Sequence, residues 1–275
     1  MKLAFTTLGC LEWDMDTILS KAVEYGFDGV DFRGYRGTLE LFNLPEFTTR
    51  AKETARRFAD VALEVPCFSS SARIFCETDS EKTGHLEEIK AYARICEAFG
   101  TPLIRIFGGA VGDTPRARAI EIAGKNLKAM AAIAEDHNVR LLLETHDSWT
   151  DCAHLKALME FVDSDSVGIL WDIHHPYRSV GESPSKTWQT LGKWIGYTHW
   201  KDSFPKEADY QLCLIGEGDL PLEETFRVLK QGDYTGYLTL EWEKKWHPEI
   251  EEPEEAFPGY VRFMRGLIST HAQSD

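Results

Sequence analysis

Short runs of apolar and β-branched residues alternate along the chain with longer segments whose apolar residues recur every three or four positions. The short runs predict strands near Leu3–Thr7, Gly29–Phe32, Val61–Pro66, Leu103–Phe107, Arg140–Glu144, Val167–Asp172, Ile195–His199 and Tyr237–Glu241. The longer segments predict helices over Asp16–Tyr25, Glu46–Ala59, Glu81–Phe99, Pro115–Asp136, Ala153–Val162, Thr187–Lys193 and Pro221–Lys230, with a last one from Ala256 to Ser269. Several boundaries carry their own chemistry. Asp16 is placed to cap the first helix, and Tyr25-Gly26-Phe27-Asp28-Gly29 reads as helix stop, turn and next strand. Pro115 follows Asp113-Thr114, a cap and then a proline at the first helical position. Glu223 and Glu224 suit the positive end of the helix that Pro221 opens.

Strand followed by helix, eight times without a Pro/Gly/Ser-rich linker, predicts an α/β protein. Eight units favour closure into a single-domain (β/α)8 TIM barrel spanning residues 1–275 over an open doubly wound sheet. No G-x-G-x-x-G follows the first strand, which removes the main sign of a dinucleotide site. The least regular units are the second, where Thr38–Pro45 is loop-like, and the last, where Glu243–Pro258 forms a long acidic loop.

Charge then narrows the classes. The 275 residues hold 45 acidic and 30 basic side chains, a formal net charge of −15. Nucleic acid and anionic membrane surfaces bind through clustered Lys and Arg, so neither is an expected partner. No apolar stretch is long enough to span a bilayer. Lys2 precedes a short apolar run that meets Glu12 and Asp14 too soon for a signal peptide. Six scattered cysteines without a C-x-x-C pair predict reduced, mostly buried thiols and a cytoplasmic address.

Reacting groups of such barrels gather at the carboxyl ends of the strands. The last four strands end in Glu144, Asp172, His199 and Glu241, each behind a run of apolar or β-branched residues. There a charged group is costly unless paired or ligated. A lone acid at a strand end is usually a cap or an ion-pair partner; four successive ends bearing Glu, Asp, His and Glu point to a metal site. Three carboxylates and one imidazole suit Mn²⁺ first, with Mg²⁺, Co²⁺ or Zn²⁺ as alternatives. Their surplus negative charge favours a neutral or weakly anionic ligand. Gly216 and Gly218 lie where barrels often bind phosphate, but Glu217 and Asp219 beside them oppose it.

With these residues in view, the chain resembles the xylose-isomerase-like superfamily of sugar isomerases and epimerases over nearly its whole length. The carriers are Met1-Lys2-Leu3-Ala4-Phe5, the Ala22–Asp31 segment, Asp172 with His175 as D-x-x-H, His199-Trp200-Lys201-Asp202 as H-x-K-D, and Gly216-Glu217-Gly218. The resemblance implies a divalent metal held by Glu144, Asp172, His199 and Glu241, and a sugar or keto-polyol substrate contacted by His175. It implies proton abstraction next to a carbonyl through a metal-stabilised enediolate, with Glu144 and Glu241 as the acid/base pair, and it suggests a homo-oligomer. Thr150 and Pro205 stand where ketose 3-epimerases carry a further substrate-binding Glu and Arg, and H-x-K-D looks more like the inosose dehydratase and general isomerase branches. A dehydratase acting on an inosose or a dehydroshikimate-like ketone is therefore the alternative. More remote are an endonuclease-IV-like phosphodiesterase, which needs more His ligands and a basic face, and a non-catalytic sugar-binding barrel.

Lys201, His146 and Arg105 are further candidates for binding substrate oxygens; His174 competes with His175 for the inward direction, and Arg33 shares Arg105's choice between substrate and ion pair. Trp171, Trp200 and Trp242 neighbour ligands but alternate toward the helix layer. Trp149 and Trp246, in loops at the same mouth, are the better sugar-stacking candidates.

Overall fold

A computed structural model describes residues 1–207 and 209–272. In chain order the elements are β1 Lys2–Thr6, α1 Met15–Tyr25, β2 Gly29–Asp31, α2 Ala51–Asp60, β3 Cys67–Arg73, α3 Asp79–Phe99, β4 Leu103–Phe107 and α4 Arg116–Asp136. There follow β5 Arg140–Glu144, α5 Cys152–Val162, β6 Val167–Asp172, α6 His174–Val180, α7 Pro184–Leu191 and β7 Ile195–Trp200. The chain ends with a hairpin of β8 Asp202–Lys206 and β9 Asp209–Cys213, then α8 Leu222–Gln231, β10 Tyr237–Leu240 and α9 Pro253–Ala272. Eight parallel strands run in the order β2-β1-β10-β7-β6-β5-β4-β3. The Val30 and Ser69 amides close the ring by donating across the β2–β3 seam to Glu64 and Phe32 carbonyls, each at 3.0 Å. This is the single (β/α)8 barrel that the alternation predicts.

Alternation along each strand decides what faces inward. Ala4, Cys67, Leu142, Leu170, Tyr197 and Tyr237 form a packed inner layer. Two residues further along β5, β6 and β7 the same face carries Glu144, Asp172 and His199, and Glu241 lies four residues beyond Tyr237. The cluster of ionisable groups is thus the inner layer's upper neighbour. The opposite face of the same strands sends Trp171, Trp200 and Trp242 into the helix-packed core, each with at most 1% of its surface exposed.

Three local departures from the sequence pattern have clear causes. The third strand is not at Val61–Pro66 but at Cys67–Arg73. Val61 closes α2 and Ala62 turns the chain with φ +58°, leaving only a bridge from Glu64 to Gly29. The true strand is disguised by serines that are buried and bonded: Ser69 Oγ to Asp31 and Ser70 Oγ to the Arg105 carbonyl. The cap of α1 is Asp14, which accepts from the Thr17 amide at 2.8 Å, with Asp16 in the first turn. The β8–β9 hairpin stands between β7 and α8, a stretch to which the sequence pattern assigns neither strand nor helix. All six cysteines are free, as expected.

Candidate metal centre

Glu144, Asp172, His199 and Glu241 are buried, and each offers a ligand atom within 4.8 Å of the others. Glu144 Oε1 and Glu241 Oε1 stand 3.1 and 3.3 Å from His199 Nδ1. His199 Nε2 lies 3.3 Å from Asp31 Oδ2, and Asp31 Oδ1 accepts from Ser69 Oγ at 2.9 Å. The ring therefore presents Nδ1 to the cluster while Asp31 holds its far nitrogen, the carboxylate support typical of a metal-bound histidine. The sequence pattern marks Asp31 only as a residue of the second strand and of the Ala22–Asp31 segment, not as a member of the site. Its inward position on β2, the same as that of the other four, was the available signal.

Lys201 lies two residues after His199 on the same inward face, fully buried. Its ammonium sits 2.8 Å from Asp172 Oδ2 and 2.5 Å from Glu241 Oε2, with Glu243 as a third carboxylate partner. On the other side, Arg105 Nε is 3.4 Å from Glu144 Oε2, and its Nη1 donates to the Ser70 carbonyl at 2.9 Å. These positions set the ionisation of the centre. Burial raises the Glu241 carboxyl, but Lys201 and His199 outweigh it and hold the group well below the usual range. Burial, opposed by Lys201 and helped by the charges of Glu241 and Glu144, pushes Asp172 up to about 7. Burial disfavours the His199 cation, yet Glu241, Asp31 and Glu144 together drive its pKa well up.

The donor set fits a divalent cation. Five carboxylates, counting Asp31 and Glu243, face the cations of Lys201 and Arg105 and the His199 ring, whose pKa they raise. Glu144 Oε2 and His175 Nε2 are buried without a hydrogen bond. A metal needs His199 neutral and Asp172 ionised, so loading must expel protons. Because both pKa values are raised, Mn²⁺ affinity is expected to climb about tenfold per pH unit for each proton displaced between pH 6 and 8. Calorimetry in buffers of different ionisation enthalpy measures the release; a pH-independent affinity would contradict this electrostatic account.

The remaining sequence candidates fall into three places. His175 is buried against the quartet, Nε2 3.5 Å from Asp172 Oδ2, and burial with Lys201 close by keeps it neutral. His174 bonds Asp172 Oδ1 through its amide and Ser203 Oγ through Nε2, and burial holds its pKa down to about 2. His146 lies higher in the mouth, edge-on to His175 at 4.5 Å and bonded to Asp147 at 2.8 Å. Burial lowers its pKa, but Asp147 and Glu144 reverse the sign, so the net shift is upward. Trp246 is half-exposed at the rim, where with Arg33, Arg73, Phe107 and His146 it lines a cavity of about 280 Å³. Trp149 is fully buried, donates its indole N–H to the Gly109 carbonyl and packs against Gly108.

Asp202, next after Lys201, is buried and accepts from the amides of Gly216, Gly218 and Leu220 at 2.9, 3.0 and 3.3 Å. The amides that a phosphate would need are therefore taken by the chain itself, and the loop anchors the strand end that carries Lys201. A Cβ at Gly218 would lie 2.1 Å from Asp202 Oδ1 and 2.6 Å from the Ser203 carbonyl. Gly218→Ala is expected to cost about 1–3 kcal/mol in denaturant unfolding. An unchanged midpoint would mean that the loop yields without strain.

Comparison with known proteins agrees with this geometry. The family model of the xylose isomerase-like TIM barrel matches residues 19–267, and the chain belongs to that family. No curated protein sequence matches the chain. Among solved structures, the probable 3-DHS dehydratase AsbF from Bacillus anthracis is 20% identical with a TM-score of 0.80, covering 96% of this chain and 99% of its own. The IolI protein, solved with a zinc atom, is 17% identical with a TM-score of 0.82, covering 98% and 99%. An L-ribulose 3-epimerase is 15% identical with a TM-score of 0.80, covering 99% and 96%. At these identities the likeness is one of fold. No helix among the described residues is long and apolar enough to cross a membrane.

Proposed function

We propose that the protein is a divalent-metal-dependent isomerase or epimerase of a ketose or keto-polyol, working by removal of a proton next to a carbonyl. The observation that carries this reading is the convergence of Glu144, Asp172, His199 and Glu241 within 4.8 Å at one end of a closed barrel. Glu144, Asp172, His199 and Glu241 would hold a divalent cation, Mn²⁺ or one of its hard-ligand relatives, which would supply Lewis acidity to the reacting carbonyl. The chain's own groups do the rest. Lys201 keeps Glu241 ionised, so that its carboxylate is ready to accept the proton, and Glu144 is the second carboxylate of the pair. Asp31 fixes the His199 ring, and His175 supplies a neutral, unpartnered nitrogen to a substrate hydroxyl. The substrate is a small molecule, and the net charge of −15 disfavours nucleic acid.

One observation favours the dehydratase as second reading. His146, bonded to Asp147 at 2.8 Å and with its pKa raised by that carboxylate, places an imidazole in the mouth where an acid for a departing hydroxyl is needed. Incubation of Mn²⁺-loaded protein with ketoses, inososes and related cyclic ketones in D₂O tests both. Deuterium gain beside the carbonyl, abolished by a chelator, is the expected result. Loss of water with a new ultraviolet band assigns the dehydratase. Absence of both across the panel with Mn²⁺, Mg²⁺, Co²⁺ and Zn²⁺ overturns the enzymatic reading in favour of a binding barrel.

A further inference from the structure

The mouth of the barrel contains more positive charge than its own carboxylates use. Arg33 follows β2 by two residues, and its backbone is fixed: the amides of Arg33 and Gly34 both donate to Thr7 Oγ1 at 3.1 Å. Its side chain is turned into the cavity above the metal cluster, and the residue is only 6% exposed. Among the described residues its guanidinium has no hydrogen bond and no ion pair, and Nη1 is buried and unpartnered. Its neighbours do not supply an anion. The Phe107 ring lies 5.7 Å from Arg33 Cζ, and Arg105 rests on the same ring at 3.8 Å. Each nearby carboxylate is engaged elsewhere: Glu144 with Arg105 and His199, Glu241 and Glu243 with Lys201, and Glu88, which feels Arg33 and Arg105 without pairing with Arg33, with the Ser71 amide at 2.6 Å.

A buried guanidinium without a counter-ion is costly, and a second one on the same aromatic ring makes it more so. Burial first, and the repulsion of Arg105 second, lower the Arg33 pKa to about 10, so it stays charged at neutral pH. Arg73 adds a third guanidinium at the exposed rim of the same cavity. A site that keeps a pinned, dehydrated, unpaired arginine beside its reacting groups is organised for an anion that arrives with the ligand.

We infer that the substrate carries a carboxylate, bound by the Arg33 guanidinium with Arg73 at the rim, and is thus a keto acid of the polyol or sugar-acid class rather than a neutral ketose. Guanidinium matches a planar carboxylate with two parallel N–H donors. A monoanion also suits this cavity better than a phosphate dianion, because Asp147, Glu241 and Glu243 line it too. The inference rests on reading this mouth as a keto-polyol site and adds the charge of the molecule that enters.

The test uses matched, unreactive probes and calorimetric binding to the Mn²⁺-loaded and chelator-treated protein. Quinate against myo-inositol and D-gluconate against D-sorbitol each compare a carboxylate with a neutral polyol; inositol 1-phosphate is the phosphate arm. The carboxylate of each pair is expected to bind about 10–100-fold more tightly, as a charged hydrogen-bonded contact provides. Arg33→Met should remove that preference, and Arg33→Lys should restore part of it because the charge returns without the fork. Equal binding of charged and neutral probes, or a preference that survives Arg33→Met, overturns the inference. Tighter binding of inositol 1-phosphate overturns it in favour of a phosphorylated substrate. A loss of Mn²⁺ affinity in Arg33→Met with probe preference intact also overturns it, since the arginine would then serve the metal's carboxylates. The exposed Arg73→Ala reports on the rim if Arg33→Met does not fold: a several-fold weakening confined to the charged probes supports the inference, and no change in their preference overturns it. Failure of the metal to bind while the carboxylate preference persists would instead remove the enzymatic proposal and leave this subsite standing.

Discussion

Lys201→Met is expected to destabilise the metal-free protein by about 3–5 kcal/mol at pH 7, the magnitude seen when one partner of a buried ion pair is removed. The ammonium is fully buried between Asp172, Glu241 and Glu243. Methionine fills much the same volume, so the loss is of charge rather than of packing. What remains is a group of carboxylates with only His199 and Arg105 as close cationic partners, and they answer by taking up protons. Their folded pKa values then rise above the unfolded ones, and an acid shifted that way gains stability as pH falls. The deficit of the variant should therefore shrink between pH 7 and pH 5.5. Divalent metal should relieve it as well, by about 2.7 kcal/mol at a hundred times the dissociation constant. Denaturant unfolding at two pH values, with Mn²⁺ and with chelator, measures all three effects. A variant as stable as the parent without metal would show that Lys201 is not what keeps these carboxylates ionised.

The position of Lys201 is legible in the sequence, and its task is not. The spacing of His199 and Lys201 puts both on one face of a strand, so their shared direction was readable from alternation alone. Which partners meet the ammonium depends on how β6, β7 and β10 close together, and neighbours across a barrel leave no local pattern. The quartet was legible because each member ends a hydrophobic strand, where a charge stands out. Asp31 ends a strand of only three residues, and without its partner His199 it resembles an ordinary turn acid. The third strand was misplaced for the opposite reason. Its buried serines look polar and loop-like until Asp31 and the Arg105 carbonyl are there to bond them. Gly26 shows the contrast: the left-handed stop it gives α1, at φ +84°, is local, and local chemistry marks its own position. Sequence alone leaves Arg33 between ion pairing and substrate binding. Only the folded mouth shows that every carboxylate near it is already engaged.

Glu241→Gln is expected to reduce catalytic turnover by about 10²–10⁴-fold, the usual worth of a positioned general base, while leaving the barrel folded. Glutamine keeps the shape and an oxygen toward His199 Nδ1, now 3.3 Å from Glu241 Oε1, but it cannot take a proton. Lys201 retains Asp172 and Glu243, so its charge stays covered. The pattern of residual exchange is more informative than the size of the loss. If Glu144 and Glu241 attack opposite faces of one carbon, each epimer loses its proton to a different carboxylate. The Gln variant would then stop converting either epimer, yet still wash deuterium into the one whose proton faces Glu144. Glu144→Gln should show the mirror result with the other epimer. Isotope ratios after incubation of each single epimer with each variant in D₂O read this directly. Should Glu241→Gln turn over as the parent does, Glu241 is confined to holding charge and metal; should one variant lose exchange with both epimers while the other keeps it with both, one base serves both faces and the two-carboxylate scheme fails.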